Sequence, residues 1–101
     1  MENGIMPALE LDSDSLKDVC RRNDISQLFL FGSYARGEEL EDSDIDLLVR
    51  FSKPKSLLSV IAIQRQISEI LGRPVDLLTE PAISPYLRDR IMKELRLVYN
   101  A

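Results

Sequence analysis

Short apolar runs along this chain are separated by longer stretches in which apolar residues recur at helical spacing. Residues 28–31 are apolar throughout and predict a strand buried on both faces. In residues 45–51 one alternating set of positions is wholly apolar and the other carries polar side chains. Residues 75–79 repeat this pattern over a shorter stretch. Successive side chains of a strand point to opposite faces, so both segments predict strands with their polar residues on one face.

A first helix is predicted before the first strand. Asp12 or Ser13 caps its start, and it ends near Asn23. Its predicted buried residues are Leu16, Val19 and Cys20. We interpret Cys20 as a small core residue, because no neighbour in the sequence suggests the lowered pKa that a nucleophilic thiol needs.

A second helix is predicted between the last two of these strands. It starts within residues 52–55, with a proline tolerated in the first turn, and Gly72 and Pro74 stop it. Its predicted core stripe is Leu57, Val60, Ile61, Ile67, Ile70 and Leu71. A right-handed crossover through this helix would make the 75–79 strand parallel to the 45–51 strand.

The last predicted helix is capped by Ser84, with Pro85 at its first position. Its predicted buried residues are Leu87, Ile91, Leu95 and, at its end, Val98; residues 97–99 alternatively form a short terminal strand. Its exposed side carries Arg88, Arg90, Lys93 and Arg96, interpreted as a solvated face in preference to a binding surface. The predicted fold class is α/β (α+β), a small mixed β-sheet with helices packed against it.

Length and composition indicate one globular domain over residues 1–101, with residues 1–8 as a loose leader. The chain is 45% apolar and 30% charged, as soluble proteins are. A single cysteine excludes internal disulfides and indicates a cytoplasmic protein, and no apolar run is long enough to span a membrane.

The net charge and the absence of histidine exclude some classes of function. The net charge of −4 argues against a generally basic nucleic-acid surface, so nucleic acid is not the expected main partner. The chain has no histidine, which removes histidine-based triads, most catalytic zinc sites and a histidine general base.

Gly32 and Ser33 end the first strand at a turn that could bind phosphate. Glycine permits a sharp turn and a close approach of backbone to a ligand, and Ser33 is the predicted N-cap of a short helix over residues 34–36. Unpaired N–H groups at a helix start suit an anion. Taken alone, an ordinary strand-to-helix turn explains the pair better. A P-loop is excluded, because two glutamates follow Gly37 where lysine and serine or threonine are required.

Aspartates in apolar strands favour the functional interpretation. Asp44 and Asp46 point to the same face, with Cα atoms about 7 Å apart, close enough to share divalent cations. Six acids fall within residues 38–46, and a solvated acidic loop explains residues 38–42. It does not explain Asp46, because an unpaired charge within an apolar strand is costly. Asp76 lies in the 75–79 strand and would complete a three-carboxylate metal site if the two strands are neighbours.

The motif formed by Gly32-Ser33, ten residues and Asp44-x-Asp46, with Asp76 on a later strand, resembles the polymerase-β-type nucleotidyltransferase superfamily. The short chain and the sequence that begins at Ser84 resemble its minimal branch, the MNT proteins, many of which are antitoxins paired with HEPN-domain ribonuclease toxins. The resemblance covers roughly residues 26–99.

The resemblance implies a Mg²⁺-dependent nucleotidyltransferase that uses ATP and transfers AMP. Asp44 and Asp46 would bind both of two Mg²⁺ ions, and Asp76 the ion on the nucleophile side. Gly32, Ser33 and Arg36 would hold the β- and γ-phosphates, although a salt bridge to the acidic loop explains Arg36 equally well.

Since little of the chain remains after the catalytic core to hold a small acceptor, the expected acceptor is a folded macromolecule. The resemblance to MNT antitoxins implies that it is a HEPN toxin, with a tyrosine hydroxyl as the acceptor group. The protein would then act as an antitoxin, in a homo- or hetero-oligomer. Two alternatives stay open: a non-catalytic antitoxin that masks its toxin by binding, and a transferase acting on a small molecule or an RNA end.

Overall fold

The computed structural model describes residues 10–101, and the predicted leader, residues 1–8, lies outside that part of the chain. Four α-helices are described: α1 (Asp14–Arg22), α2 (Ser33–Arg36), α3 (Leu57–Leu71) and α4 (Pro85–Lys93). Four strands accompany them: β1 (Ile25–Phe31), β2 (Ile45–Phe51), β3 (Val75–Leu78) and β4 (Arg96–Asn100). A 3₁₀ turn, Glu80–Ala82, precedes α4. The three strands predicted from the apolar pattern are confirmed, and residues 97–99 form the terminal strand.

The strands form one mixed sheet in the order β3-β2-β1-β4. β1 pairs antiparallel with β2 and with β4, whereas β2 and β3 are parallel. Helix α3 makes the crossover between the two parallel strands, as parallel pairing requires. The predicted mixed sheet with packed helices is therefore confirmed.

The main core lies between one face of the sheet and helices α1 and α3. Its buried residues include Leu16, Val19, Cys20, Ile25, Leu28, Ile45, Leu47, Val49, Ile63, Ile67 and Val75. The Cys20 thiol is fully buried and unoxidised, and burial raises its pKa to about 11. This confirms its interpretation as a core residue, because only a thiolate is an effective nucleophile.

The second face of the sheet carries a smaller cluster, in which Phe31, Leu48, Ile83 and Ile91 are buried. Helix α4 and the segment before it supply Ile83 and Ile91. Asp46 lies two residues before Leu48 on β2, so its side chain points to this same face. The candidate carboxylates thus lie on the α4 side of the sheet, beyond the end of the apolar cluster.

Ion pairs on this face connect the sheet to α4. Glu80 accepts a hydrogen bond from Arg50 at 2.7 Å and another from Arg88 at 2.9 Å. The Arg50 guanidinium also lies 5.3 Å from the ring centre of Phe29. Arg88, one of the four cations predicted on the exposed side of the last helix, is therefore part of the structural packing. The prediction was wrong for Arg96, because α4 ends at Lys93 and Arg96 begins β4.

The predicted start of the second helix was wrong. Helix α3 begins at Leu57, because Ser56 caps it by accepting a hydrogen bond from the Ser59 N–H at 3.1 Å. Residues 52–55 are instead the connection from β2, where Lys55 pairs with Asp24 at 2.8 Å. Gly72 ends the helix in the left-handed conformation, as predicted.

The buried stripes of the helices also differ in part from prediction. In α3, Leu57 and Ile61 are exposed, and Ile63 is buried beside the predicted Ile67. The first half of α3, residues 57–63, is apolar except for Ser59, so it offers no polar face from which to choose the buried side. In α4, Leu87 is 47% exposed and Ile91 is buried. Within residues 10–101, the helices are too short or too polar to cross a membrane.

Candidate active site

The turn after β1 is built on Gly32. Its backbone angles, φ 77° and ψ −156°, lie in a region that is essentially restricted to glycine. Gly32 itself occupies the N-cap position of α2, and Ser33 is the first helical residue. The predicted N-cap role of Ser33 is therefore wrong, because the residue outside the helix must take the non-helical conformation and only glycine does so here at low cost.

Gly32 is also the point where the turn approaches β2. Phe31 pairs with Asp46 in the β1–β2 ladder, so the next residue passes directly beside the Asp46 side chain. A Cβ added to Gly32 would overlap Oδ2 of Asp46 and lie 3.1 Å from its Cγ. Because Gly32 has no side chain, the Asp46 carboxylate can pack directly against the turn.

The three predicted aspartates meet at one edge of the sheet. Asp46 and Asp76 are direct partners in the parallel β2–β3 ladder. Asp44 comes just before β2, two residues from Asp46, where Ile45 donates a hydrogen bond to the Pro74 carbonyl at 3.0 Å. Asp46 is half-buried, while Asp44 and Asp76 are exposed. The geometry brings the three residues together on an accessible edge.

The carboxylates interact electrostatically. The pKa of Asp46 is raised above its ordinary value of 3.8, first by burial and then by the charges of Asp76 and Asp44. Arg36 lowers it, and Glu94 raises it further. Burial and the neighbouring negative charges therefore both disfavour the ionised form of Asp46, which a bound cation would stabilise.

A divalent cation fits the chemistry of these donors. Carboxylate oxygens are the hard ligands that Mg²⁺ prefers. Within residues 10–101, no three acidic, cysteine or histidine side chains are gathered closely enough to hold a metal as they stand. Closing a metal site would therefore require the side chains of Asp44, Asp46 and Asp76 to turn toward one another.

Arg36 ends α2 and makes ion pairs with two glutamates. Its Nε donates to Glu38 at 2.9 Å, and its Nη1 donates to both carboxylate oxygens of Glu94 at 3.2 Å. These partners, Glu38 first, raise the pKa of Arg36. The predicted salt bridge to the acidic loop is thus present, and a second pair joins Arg36 to the end of α4.

Glu94 is a contact residue of the turn that was not predicted from the sequence. It follows the last residue of α4, and its Oε1 accepts a hydrogen bond from the Gly32 N–H at 3.0 Å. No motif or periodicity marks a single acid at the end of a basic helix. Only the fold, which brings residues 62 positions apart into contact, identifies it.

Comparison with known proteins identifies the class. Residues 13–98 match the nucleotidyltransferase domain family, and the chain belongs to that family. The chain is 45% identical over 76 residues to a Methanocaldococcus jannaschii protein provisionally named a protein adenylyltransferase, covering 75% of this chain and 82% of that one. It is 34% identical over 79 residues to the protein adenylyltransferase MntA of Thermococcus cleftensis, covering 78% and 80% of the two chains.

Solved structures agree with this assignment. A minimal nucleotidyltransferase that is 36% identical superposes with a TM-score of 0.68, over 79% of this chain and 82% of that one. A toxin–antitoxin complex with AMP-PNP gives a TM-score of 0.72 at 21% identity, over 87% and 73% of the chains. A complex of a tri-AMPylated Shewanella oneidensis HEPN toxin with an MNT antitoxin contains a chain that gives a TM-score of 0.63 at 19% identity, over 85% of this chain and 67% of that one.

The predicted family is therefore confirmed. The fold is that of the polymerase-β-type minimal nucleotidyltransferases, and the protein is a nucleotidyltransferase.

Proposed function

We propose that this protein transfers AMP from ATP to a tyrosine hydroxyl of a HEPN-domain toxin and thereby acts as its antitoxin. The observation that carries the chemistry is the pairing of Asp46 with Asp76 beside the Gly32 turn. Support for a protein acceptor comes from the relatives named as protein adenylyltransferases. Support for a toxin partner comes from the similarity to an antitoxin bound to its AMPylated HEPN toxin.

In this proposal the three aspartates hold two Mg²⁺ ions. Asp44 and Asp46 would ligate both ions, and Asp76 the ion on the side of the acceptor. The chemistry supplied by two such ions is stabilisation of the attacking and leaving oxygens of an in-line displacement. The raised pKa of Asp46 supports the assignment, because burial and the charges of Asp76 and Asp44 disfavour its ionised form and a bound cation would stabilise that form.

The turn and its helix would hold the triphosphate. Ser33 and the backbone around Gly32 lie on one side of Asp46, so phosphates bound there would bring the α-phosphate toward the aspartates. Arg36 would add a positive charge to the same side. The shape of the turn supports this role, because Gly32 has no side chain and its backbone packs directly against the Asp46 carboxylate.

The reaction is a substitution at the α-phosphorus. The acceptor hydroxyl oxygen forms a bond to that phosphorus, the bond to the bridging oxygen breaks, and pyrophosphate leaves with its electron pair. Asp76 would accept the hydroxyl proton. Asp44 and Asp76 are exposed, which leaves the edge accessible to a side chain of a folded partner.

The exposed side of α4 is a candidate contact surface for the toxin. Arg90 and Lys93 are exposed on α4, and Arg96 is exposed at the start of β4, whereas Arg88 pairs with Glu80. A cluster of positive charge would favour an acidic partner surface and accelerate its association.

The experiment that tests the proposal incubates a cognate HEPN toxin with ATP, Mg²⁺ and either wild type or an Asp44→Asn/Asp46→Asn double variant. The proteins are then separated, and the mass and ribonuclease activity of the toxin are measured. The proposal predicts toxin heavier by one or more AMP units and still inactive after separation, only with wild type. A toxin of unchanged mass that regains activity after either treatment would identify a masking antitoxin instead.

A further inference from the structure

Glu94 connects the end of α4 to the turn that forms the candidate phosphate site. Its carboxylate accepts a hydrogen bond from the Gly32 N–H at 3.0 Å and bonds from Arg36 at 3.2 Å. The Glu94 side chain is only 18% exposed. These are charge-assisted contacts in a partly desolvated setting, where they are stronger than on an open surface.

The contacts of Glu94 constrain two groups that must be fixed for a phosphate to bind well. One is the Gly32 backbone, which holds a conformation available almost only to glycine. The other is the Arg36 guanidinium, whose long side chain would otherwise sample many rotamers. Within residues 10–101, the ion pairs of Arg36 use Nε and Nη1 and leave Nη2 unused. Arg36 can therefore remain bound to Glu94 while it presents a donor to a ligand.

We propose that Glu94 is a positioning residue for nucleotide binding, which fixes the Gly32 turn and orients Arg36 without contacting the nucleotide itself. The inference rests on the proposed nucleotide site at Gly32, Ser33 and Arg36. The inference adds to that site a residue that directly follows α4. Phosphate binding would then depend on the position of α4, the helix that also covers the second face of the sheet.

The opposite role makes an opposite prediction. A carboxylate on the Gly32 N–H and on Arg36 could instead compete with a phosphate for the same donors. Removing its charge would then tighten nucleotide binding. The sign of the change in affinity therefore decides between a positioning residue and a competitor.

The test is Glu94→Gln, which keeps the length of the side chain and an acceptor for the Gly32 N–H but removes the charge that holds Arg36. We expect the Kd for AMP-PNP with Mg²⁺ and the KM for ATP each to rise about fivefold, since the charge-assisted bonds that orient Arg36 are weakened. The kcat should stay within about twofold, because the reacting atoms are not touched. Glu38→Gln is the matched control, since that partner of Arg36 is 66% exposed, and its Kd should change less than about twofold.

A double-mutant cycle with Arg36→Gln shows whether Glu94 acts through Arg36. In a protein that already carries Arg36→Gln, Glu94→Gln should change the Kd for AMP-PNP little, because the ion pair between the two residues is already absent. Additive losses, an unchanged Kd or a tighter Kd in Glu94→Gln would each overturn the inference. Glu94→Asp, which keeps the charge on a shorter side chain, should recover part of the affinity, and thermal unfolding of every variant identifies any that is misfolded.

Failure of this inference is distinguishable from failure of the proposed site. If wild type binds AMP-PNP and Arg36→Gln weakens binding while Glu94→Gln does not, only the role of Glu94 is wrong. If wild type does not bind AMP-PNP with Mg²⁺, or Arg36→Gln binds it as well as wild type does, the proposed nucleotide site itself is wrong.

Discussion

Asp46 and Asp76 lie opposite each other across the parallel pair of strands at one edge of the sheet. They come from segments separated by the whole of α3, and the crossover sets their register. Both side chains point to the α4 face, where the Gly32 turn passes beside Asp46. The proposed metal site would explain why an apolar sheet carries acidic residues at this edge.

Removal of any one of the three aspartates should abolish transfer. Asp44→Asn, Asp46→Asn and Asp76→Asn keep the size of the side chain and remove its charge. Each should lower kcat by about a thousandfold or more, because the stabilisation supplied by metal ions amounts to several kcal/mol. Transfer is measured as AMP incorporated into the acceptor, with circular dichroism to show that each variant is folded. A variant with normal kcat would remove that aspartate from the mechanism.

Without divalent cations, Asp46→Asn should be more stable than wild type at pH 7. The pKa of Asp46 is raised in the fold, so its protonated form stabilises the folded state below pH 3.8, and that stabilisation is lost as the pH rises through the folded-state pKa. The advantage of the asparagine variant should therefore shrink as the pH falls toward 3.8. Thermal unfolding with EDTA measures it. Addition of Mg²⁺ should stabilise wild type and leave the variant less affected.

Glu80→Gln should show the opposite dependence on pH. Hydrogen bonds from Arg50, then Arg88, lower the pKa of Glu80, so its contribution is present above the ordinary value of 4.5 and is lost as the pH falls through the folded-state pKa. The variant should be less stable than wild type at pH 7 by under about 1 kcal/mol, because the pair is screened by solvent. The two proteins should converge in acid. A constant difference at all pH values would show that the ion pairs are not its source.

Gly32→Ala should damage the site far more than Gly37→Ala does. Both glycines have positive φ, but their conformations differ. Gly37 lies in the left-handed helical region, where alanine costs about 1 kcal/mol, whereas Gly32 lies in a region essentially restricted to glycine, where alanine costs more. At Gly37 the added methyl group meets nothing within 4 Å, whereas at Gly32 it overlaps the Asp46 carboxylate. We expect Gly37→Ala to retain AMP-PNP binding and Gly32→Ala to lose at least about tenfold in affinity. Equal affinities in titration calorimetry would place the nucleotide away from this turn.

Cys20 should be unreactive in the folded protein. Its side chain is fully buried, and the raised pKa keeps it a thiol at neutral pH. A thiol reagent such as Ellman's reagent should therefore label it only at the rate of unfolding, and completely in denaturant. Rapid labelling of the folded protein would show that α1 opens readily.

The sequence predicted the parts of the fold that depend on local signals. Alternation identified β2 and β3, and the acidic residues within them stood out because charge in an apolar strand needs a reason. Gly72 and Ser84 marked a helix end and a helix start, and both prove correct. The close approach of Gly32 to Asp46 was not predicted, because it depends on the pairing of β1 with β2.

The errors arose where the local signals were ambiguous. Ser33 and Ser56 are both plausible caps, but Gly32 can take the non-helical conformation itself and leaves Ser33 inside the helix. Ser56 caps α3, so the helix starts after the predicted residues 52–55. Glu94 could not be predicted, because its role depends on where α4 ends relative to a turn far away in the sequence.

Transfer of AMP from ATP to a protein hydroxyl, catalysed by Asp44, Asp46 and Asp76, is tested most directly with labelled ATP. A cognate HEPN toxin is incubated with wild type, Mg²⁺ and ATP that carries radiolabel on either the α- or the γ-phosphate. We expect label from the α-phosphate alone to enter the toxin, with loss of the signal in EDTA and in Asp76→Asn. Label from the γ-phosphate, or incorporation that persists in Asp76→Asn, would contradict the account.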